Sequence, residues 1–168
     1  MPITRETEEE GLSTEGSCFF IGHRDSGEEI YPLLCAEVER HVTACGVTDF
    51  FVGRYGAFDR MAAAAVKKAK VHHPEVRLWL ALPYHPAVRP VEVPEGFDGT
   101  YYPWEEERVP QQLAIVKTNR CMVDVCGYLI ACVRYSGGNS AKVLEYAEKK
   151  ANKGMLSVVN LAAVETHA

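Results

Sequence analysis

Three short segments of this chain carry residues suited to holding an anion. Gly22-His23-Arg24 sets a glycine beside two donors. Gly53-Arg54-Tyr55-Gly56-Ala57-Phe58-Asp59 places two glycines and an arginine just ahead of a carboxylate. Ser136-Gly137-Gly138-Asn139-Ser140 ends in two side chains suited to capping a helix. Glycines let backbone N–H groups approach an anion closely, and a helix N-terminus adds partial positive charge. The chemistry these residues point to is binding of a phosphate-bearing or nucleotide-like ligand. Asp59 is a natural first-turn helix residue, because a carboxylate there is favoured by the helix dipole. It is equally suited to accept a ribose hydroxyl or to act as a catalytic carboxylate.

Other chemistry is thinly represented. No Gly-x-Ser-x-Gly elbow and no lysine-bearing phosphate loop occurs. The six cysteines include no Cys-x-x-Cys and read as buried thiols. His72-His73 are adjacent on a helix, point in different directions, and do not make a metal pair. No metal and no cofactor is expected. Asp124 is the only other catalytic candidate beside Asp59. It sits near a helix end, where a carboxylate opposes the dipole, so a partner such as Arg120 one turn earlier is expected.

These residues need elements to position them, and the chain supplies a regular alternation. Apolar runs at Gly16–Ile21, Val47–Val52, Val76–Leu82, Tyr128–Val133 and Leu156–Leu161 read as strands buried on both faces. Helical spacing separates them at about 28–44, from about residue 58 until His73-Pro74, at about 109–123, and at 141–153. The order β-α-β-α-β-loop-α-β-α-β predicts one α/β domain. Its sheet is doubly wound and parallel, of about five strands, with the first strand central and order 3-2-1-4-5. In such a sheet the three glycine turns gather at the carboxyl ends of the strands.

Residues 1–16 carry five glutamates and read as a disordered acidic leader, residues 17–161 as the domain, and 162–168 as a short tail. Residues 84–110, with Pro86, Pro90, Pro94, Pro103 and Pro110, read as an irregular segment of the lid or binding-loop kind. Tyr84 and Trp104 within it either lay a ring over a ligand base or cover the sheet.

Composition bounds the partners. The chain has 168 residues, 47% hydrophobic and 24% charged, with a formal net charge of −5. That balance argues against a nucleic-acid partner, since phosphate backbones call for a basic surface. A local basic pocket from Arg24, Arg54 and Arg120 remains compatible with it. Neither a secretory signal nor a membrane span is visible, so a cytoplasmic location without membrane contact is expected. Homo-oligomerisation is left open.

The pattern resembles the SLOG superfamily, and within it the small bacterial branch once called DUF1273, the YpsA-like proteins. The resemblance rests on Cys18-Phe19-Phe20-Ile21-Gly22-His23-Arg24 and Phe51-Val52-Gly53-Arg54-Tyr55-Gly56-Ala57-Phe58-Asp59. It continues through His73-Pro74-Glu75-Val76-Arg77-Leu78, Leu82-Pro83-Tyr84, Asn119-Arg120-Cys121-Met122-Val123-Asp124 and Ser136-Gly137-Gly138, over about residues 17–161. It implies a Rossmann-like fold that binds nucleotides or nucleotide-derived ligands. The superfamily includes cytokinin-releasing phosphoribohydrolases, ligand sensors of antiphage systems and DNA-processing proteins. The YpsA-like branch is associated with cell-division and stress phenotypes.

Two functions of different class follow. One is a module that binds or senses a nucleotide-derived ligand. The other is a hydrolase cleaving the N-glycosidic bond of a nucleotide, with Asp59 or Asp124 stabilising an oxocarbenium-like state. The phosphoribohydrolase loop Pro-Gly-Gly-x-Gly-Thr lacks its third glycine here, which favours binding.

Overall fold

The computed structural model describes residues 2–3, 16–54, 56–84, 91–103 and 111–162. Its strands are β1 (Pro2–Ile3), β2 (Ser17–Gly22), β3 (Asp49–Val52), β4 (Arg77–Ala81), β5 (Gly99–Tyr101), β6 (Tyr128–Cys132) and β7 (Ser157–Asn160). Its helices are α1 (Tyr31–Thr43), preceded by a 3-10 turn at Glu28–Ile30, then α2 (Ala57–His72), α3 (Gln111–Val125) and α4 (Gly138–Asn152).

Strand β2 shows how the sequence builds the layers. Successive side chains point to opposite faces. Cys18 and Phe20 face one apolar cluster with Phe50, Val52 and Leu78. Helix α1 closes that side with Leu34, Val38 and Val42, and α2 with Phe58, Ala62, Ala65, Val66 and Ala69. Phe19 and Ile21 face the other cluster with Phe51, Trp79 and Ala81, closed by Met122 and Val123 of α3 and Val143, Leu144 and Ala147 of α4. A strand sandwiched in this way has no polar face, which is why its sequence is a continuous apolar run.

All pairings are parallel, in the order β1-β5-β4-β3-β2-β6-β7. The five expected strands are present in the expected order, with β2 inside the sheet. Two strands are additional. Strand β5 lies within the segment read as irregular, which corrects that reading. Its entry is set by Asp98, whose N–H donates to the Leu78 carbonyl at 2.8 Å while its carboxylate accepts the Leu78 N–H at 2.8 Å. Lys70 donates to the same carboxylate at 2.6 Å. Tyr101 and Tyr102 are buried, and the Tyr101 ring meets Phe51 edge-on at 5.1 Å. Strand β1 comes from the stretch read as leader and pairs Pro2 with Thr100 and Ile3 with Tyr101. Trp104, residues 1 and 4–15 of the leader and residues 163–168 of the tail lie outside the described residues.

At the amino edge of the sheet, Asp49 is buried and fully engaged. It accepts from Trp79 Nε1 at 2.9 Å, from Arg77 Nε at 2.8 Å and from Thr48 Oγ1 at 2.9 Å. A buried carboxylate is tolerated only with such partners. Burial pushes the Cys18 and Cys126 thiols well above their ordinary pKa, as suits inert core cysteines. Among the described residues no group of histidines, cysteines and carboxylates is arranged to hold a metal. Nor is any helix among them long and apolar enough to cross a membrane.

Candidate functional site at the carboxyl edge

The chain runs outward from β2 in one direction through β3 and β4, and in the other through β6 and β7. The loops after β2 and β6 therefore diverge at a switch point, where open α/β sheets place ligands. Gly22 pairs with Cys132, so these loops leave the sheet side by side. A cleft of about 110 Å³ opens there. Pockets enclosing a drug-sized ligand run to roughly 300–1,000 Å³. This one is smaller than that.

Close contacts fix the loops around it. A Cβ on Gly22 would lie 2.3 Å from Phe58 Cγ, and one on Gly56 would lie 2.4 Å from the Arg24 Cα. The glycines thus allow the β2 loop and the start of α2 to touch, and the Ala57 N–H donates to the Arg24 carbonyl at 2.9 Å. Ser140 Oγ donates to the Gly22 carbonyl at 3.0 Å, tying in the start of α4. Asn160 holds the end of β6 through two 3.1 Å bonds with the Val133 backbone.

The cleft is lined by Gly22, His23, Arg24, Gly53, Gly56, Asp59, Asn139 and Ser140, all expected from the sequence. Helix α4 enters through Gly137 at φ 87° and Gly138 at φ 79°, left-handed backbone that favours glycine. No side chain caps this helix, and its first turn holds no acidic residue. Its partial positive charge is therefore unmatched by any acid of its own first turn. Helix α2 differs, with Asp59 in its first turn. Residues from the starts of both helices, Asn139 and Ser140 of α4 and Asp59 of α2, line the cleft.

His23 has a role unlike the donor that its type suggests. Its Nε2 accepts the Arg134 N–H at 3.0 Å, so the ring proton lies on Nδ1 in this arrangement. Burial holds its pKa below the ordinary histidine value. The ring stacks on Tyr135 at 4.0 Å, nearly parallel at 5°.

Five expected residues and two glycines stand elsewhere. Arg54 is exposed and does not line the cleft, nor do Tyr84, Ser136, Gly137 or Gly138. Arg120 lies over the Tyr146 ring at 5.5 Å. Asp124 accepts from Tyr146 Oη at 2.7 Å and ion-pairs with Lys150, so it joins α3 to α4. The expected Arg120 partner is replaced by these two α4 groups. Helix α3 instead lines the cleft with Ile115, Thr118 and Asn119, none of them a site residue expected from the sequence. Their three- and four-residue spacing placed them on one helical face, with Arg120 turned off it.

With this geometry in place, known proteins supply a comparison. Neither protein-family models nor curated protein sequences match the chain. Solved structures do. The chain shares the fold of DNA processing protein A. The Streptococcus pneumoniae protein matches over 88% of this chain at TM-score 0.59 and 11% identity, and the chain spans 59% of that protein's length. The Helicobacter pylori protein, whose structure concerns its single-stranded DNA binding mode, matches over 90% of this chain and 79% of its own at TM-score 0.54 and 14% identity. This likeness corrects one expectation. The net charge of −5 argues against a nucleic-acid partner, yet a protein of this fold has a single-stranded DNA binding mode. A chain-wide charge of −5 says nothing about one cleft.

Proposed function

We propose that the chain is a SLOG-type domain of the YpsA-like branch that binds a nucleotide or nucleotide-derived ligand in this cleft and senses it without consuming it. The ligand's phosphate rests on the N-terminus of α4 and the Arg24 guanidinium, and its sugar hydroxyls turn toward Asp59. The observation carrying this reading is the start of α4. It is uncapped, has no acid in its first turn, and opens onto the cleft that Arg24 also lines. The cleft's small volume suits one phosphate–sugar unit, with the base outside. Sensing is favoured over hydrolysis because Asp59 is the sole carboxylate among the described lining residues, and Asp124 is bound up in the α3–α4 contact.

A second reading follows from the likeness to DNA processing protein A: the same cleft takes one nucleotide unit of a single strand. One set of measurements tests both. Thermal unfolding is followed with AMP, NAD and a cyclic ADP-ribose analogue, and with oligothymidylate, while chromatography follows base release. Stabilisation by one of the mononucleotide compounds without turnover is the expected result. Stabilisation by the oligomer alone selects the second reading. Turnover lost in Asp59→Asn would overturn the sensor in favour of a hydrolase. Arg24→Glu should abolish binding while shifting stability by no more than about 0.5 kcal/mol, because the side chain is exposed. Equal binding by that variant would place the anion elsewhere.

A further inference from the structure

Tyr135 is one of the few large apolar side chains left exposed among the described residues, at 55%. It immediately precedes the turn that starts α4. One face of its ring is covered by His23, stacked at 4.0 Å and 5°, and His23 itself lines the cleft. The exposed area therefore lies on the opposite face and the edge. The ring is also held in place. Its hydroxyl donates to Asp25 Oδ1 at 3.3 Å, and His23 beneath it is fixed by the Arg134 N–H. Arg134 in turn pairs with Glu29 at 3.1 Å. An aromatic face that is open, orientated and one residue away from an anion-binding turn is a ready platform for a flat ring, since its side-chain entropy is already lost.

We propose that the outer face of Tyr135 stacks the nucleobase of the bound ligand, so that base and phosphate are recognised by adjacent parts of one loop. The inference rests on the nucleotide-binding reading above and extends it. It explains how a cleft sized for one phosphate–sugar unit recognises a larger molecule: the base lies outside the cleft, on Tyr135. Stacking of this kind tolerates any base, because every base has a π-face. Specificity among bases is accordingly expected to be low.

The test compares probes with and without a base. Affinities are measured for AMP against ribose 5-phosphate, and for oligothymidylate against an abasic oligomer of equal length. Tyr135→Ala should weaken whichever base-bearing probe the wild type binds by roughly 5- to 150-fold, the range seen when a stacking aromatic is truncated. It should leave the base-free partner within about twofold on the same principle. Tyr135→Phe should retain binding, and the indole emission of Tyr135→Trp should be quenched by the base-bearing probe alone. Equal weakening of both members of a pair, or of neither, overturns the stacking role while leaving the nucleotide reading intact. A wild type that binds neither AMP nor oligothymidylate overturns both. The melting temperature of each variant shows that the fold is kept.

Discussion

Replacing Gly56 with alanine should separate the loops that frame the cleft. The Gly56 backbone is extended, with φ 172°, so no handedness strain arises and the effect is steric. The new Cβ would stand 2.4 Å from the Arg24 Cα, where ordinary contact begins at 3.4 Å. The neighbour is backbone, so no rotamer change relieves the clash. One loop must retreat by about an ångström, given how poorly packed protein interiors accommodate added atoms. That movement stretches the 2.9 Å bond from the Ala57 N–H to the Arg24 carbonyl beyond hydrogen-bond range. Overpacking costs about 1–3 kcal/mol and the lost bond about 0.5–1.5 kcal/mol, for a combined destabilisation of about 1.5–4.5 kcal/mol. For a chain of this size that lowers the melting temperature by about 3–18 °C. Circular dichroism melts measure the shift, and hydrogen exchange reports loss of protection at the Ala57 amide. A melting temperature within about 2 °C of wild type, with that amide still protected, would refute the reasoning.

Two further perturbations probe parts of the molecule away from this contact. Trp79→Phe removes a donor from the buried Asp49 carboxylate and should lower stability by about 1.5–3 kcal/mol in urea unfolding, with the cleft's ligand affinity unchanged; a loss of affinity with no loss of stability would contradict the structural role assigned to Asp49. Acid should also destabilise the fold through His23 and His41. Burial lowers both pKa values in the folded state, so between those lowered values and about 6.5 the unfolded chain binds more protons. Their contribution is complete above about pH 6.5 and is lost as pH falls toward the lowered values. Melting temperatures across that interval should fall with acidification, and a flat profile in a variant lacking other titrating groups there would exclude both histidines.

The two-sided burial of the sheet made the fold readable. Phe19 and Phe20 pack into opposite layers, so β2 had to be an unbroken apolar run, and a run of that kind signals its own position. Strand β5 gave no such signal. It is three residues long, lies among prolines and depends on Asp98 meeting Leu78 across twenty residues of sequence. The glycine turns were legible because glycine is demanded by local conformation at Gly137 and by close approach at Gly22 and Gly56. Side-chain roles were less so. Arg54 and Arg120 suit an anion by their charge, but charge does not reveal which way a side chain faces. Asn119 and Thr118 were recoverable from the spacing on α3 once one face was known to meet the sheet. The partners of Asp124 were not, since Tyr146 and Lys150 reach it only through the packing of α3 on α4.

The register that places Gly22 beside Cys132 has a consequence for how binding competence is acquired. These residues are far apart in the chain, and the strands between them, β3 to β5, all lie on one side of β2. As the chain emerges during synthesis, β2, β3 and β4 can zip together with α1 and α2 against one face while the other face is still bare. The β2 edge that will form the cleft stays an open template until β6 arrives. Closing that long loop is slow relative to local pairing. The cleft is thus among the last parts of the molecule to form, and among the first lost if β6 detaches. A ligand bridging the β2 and β6 loops would act as a bolt across this seam, holding shut the part of the sheet that assembles latest.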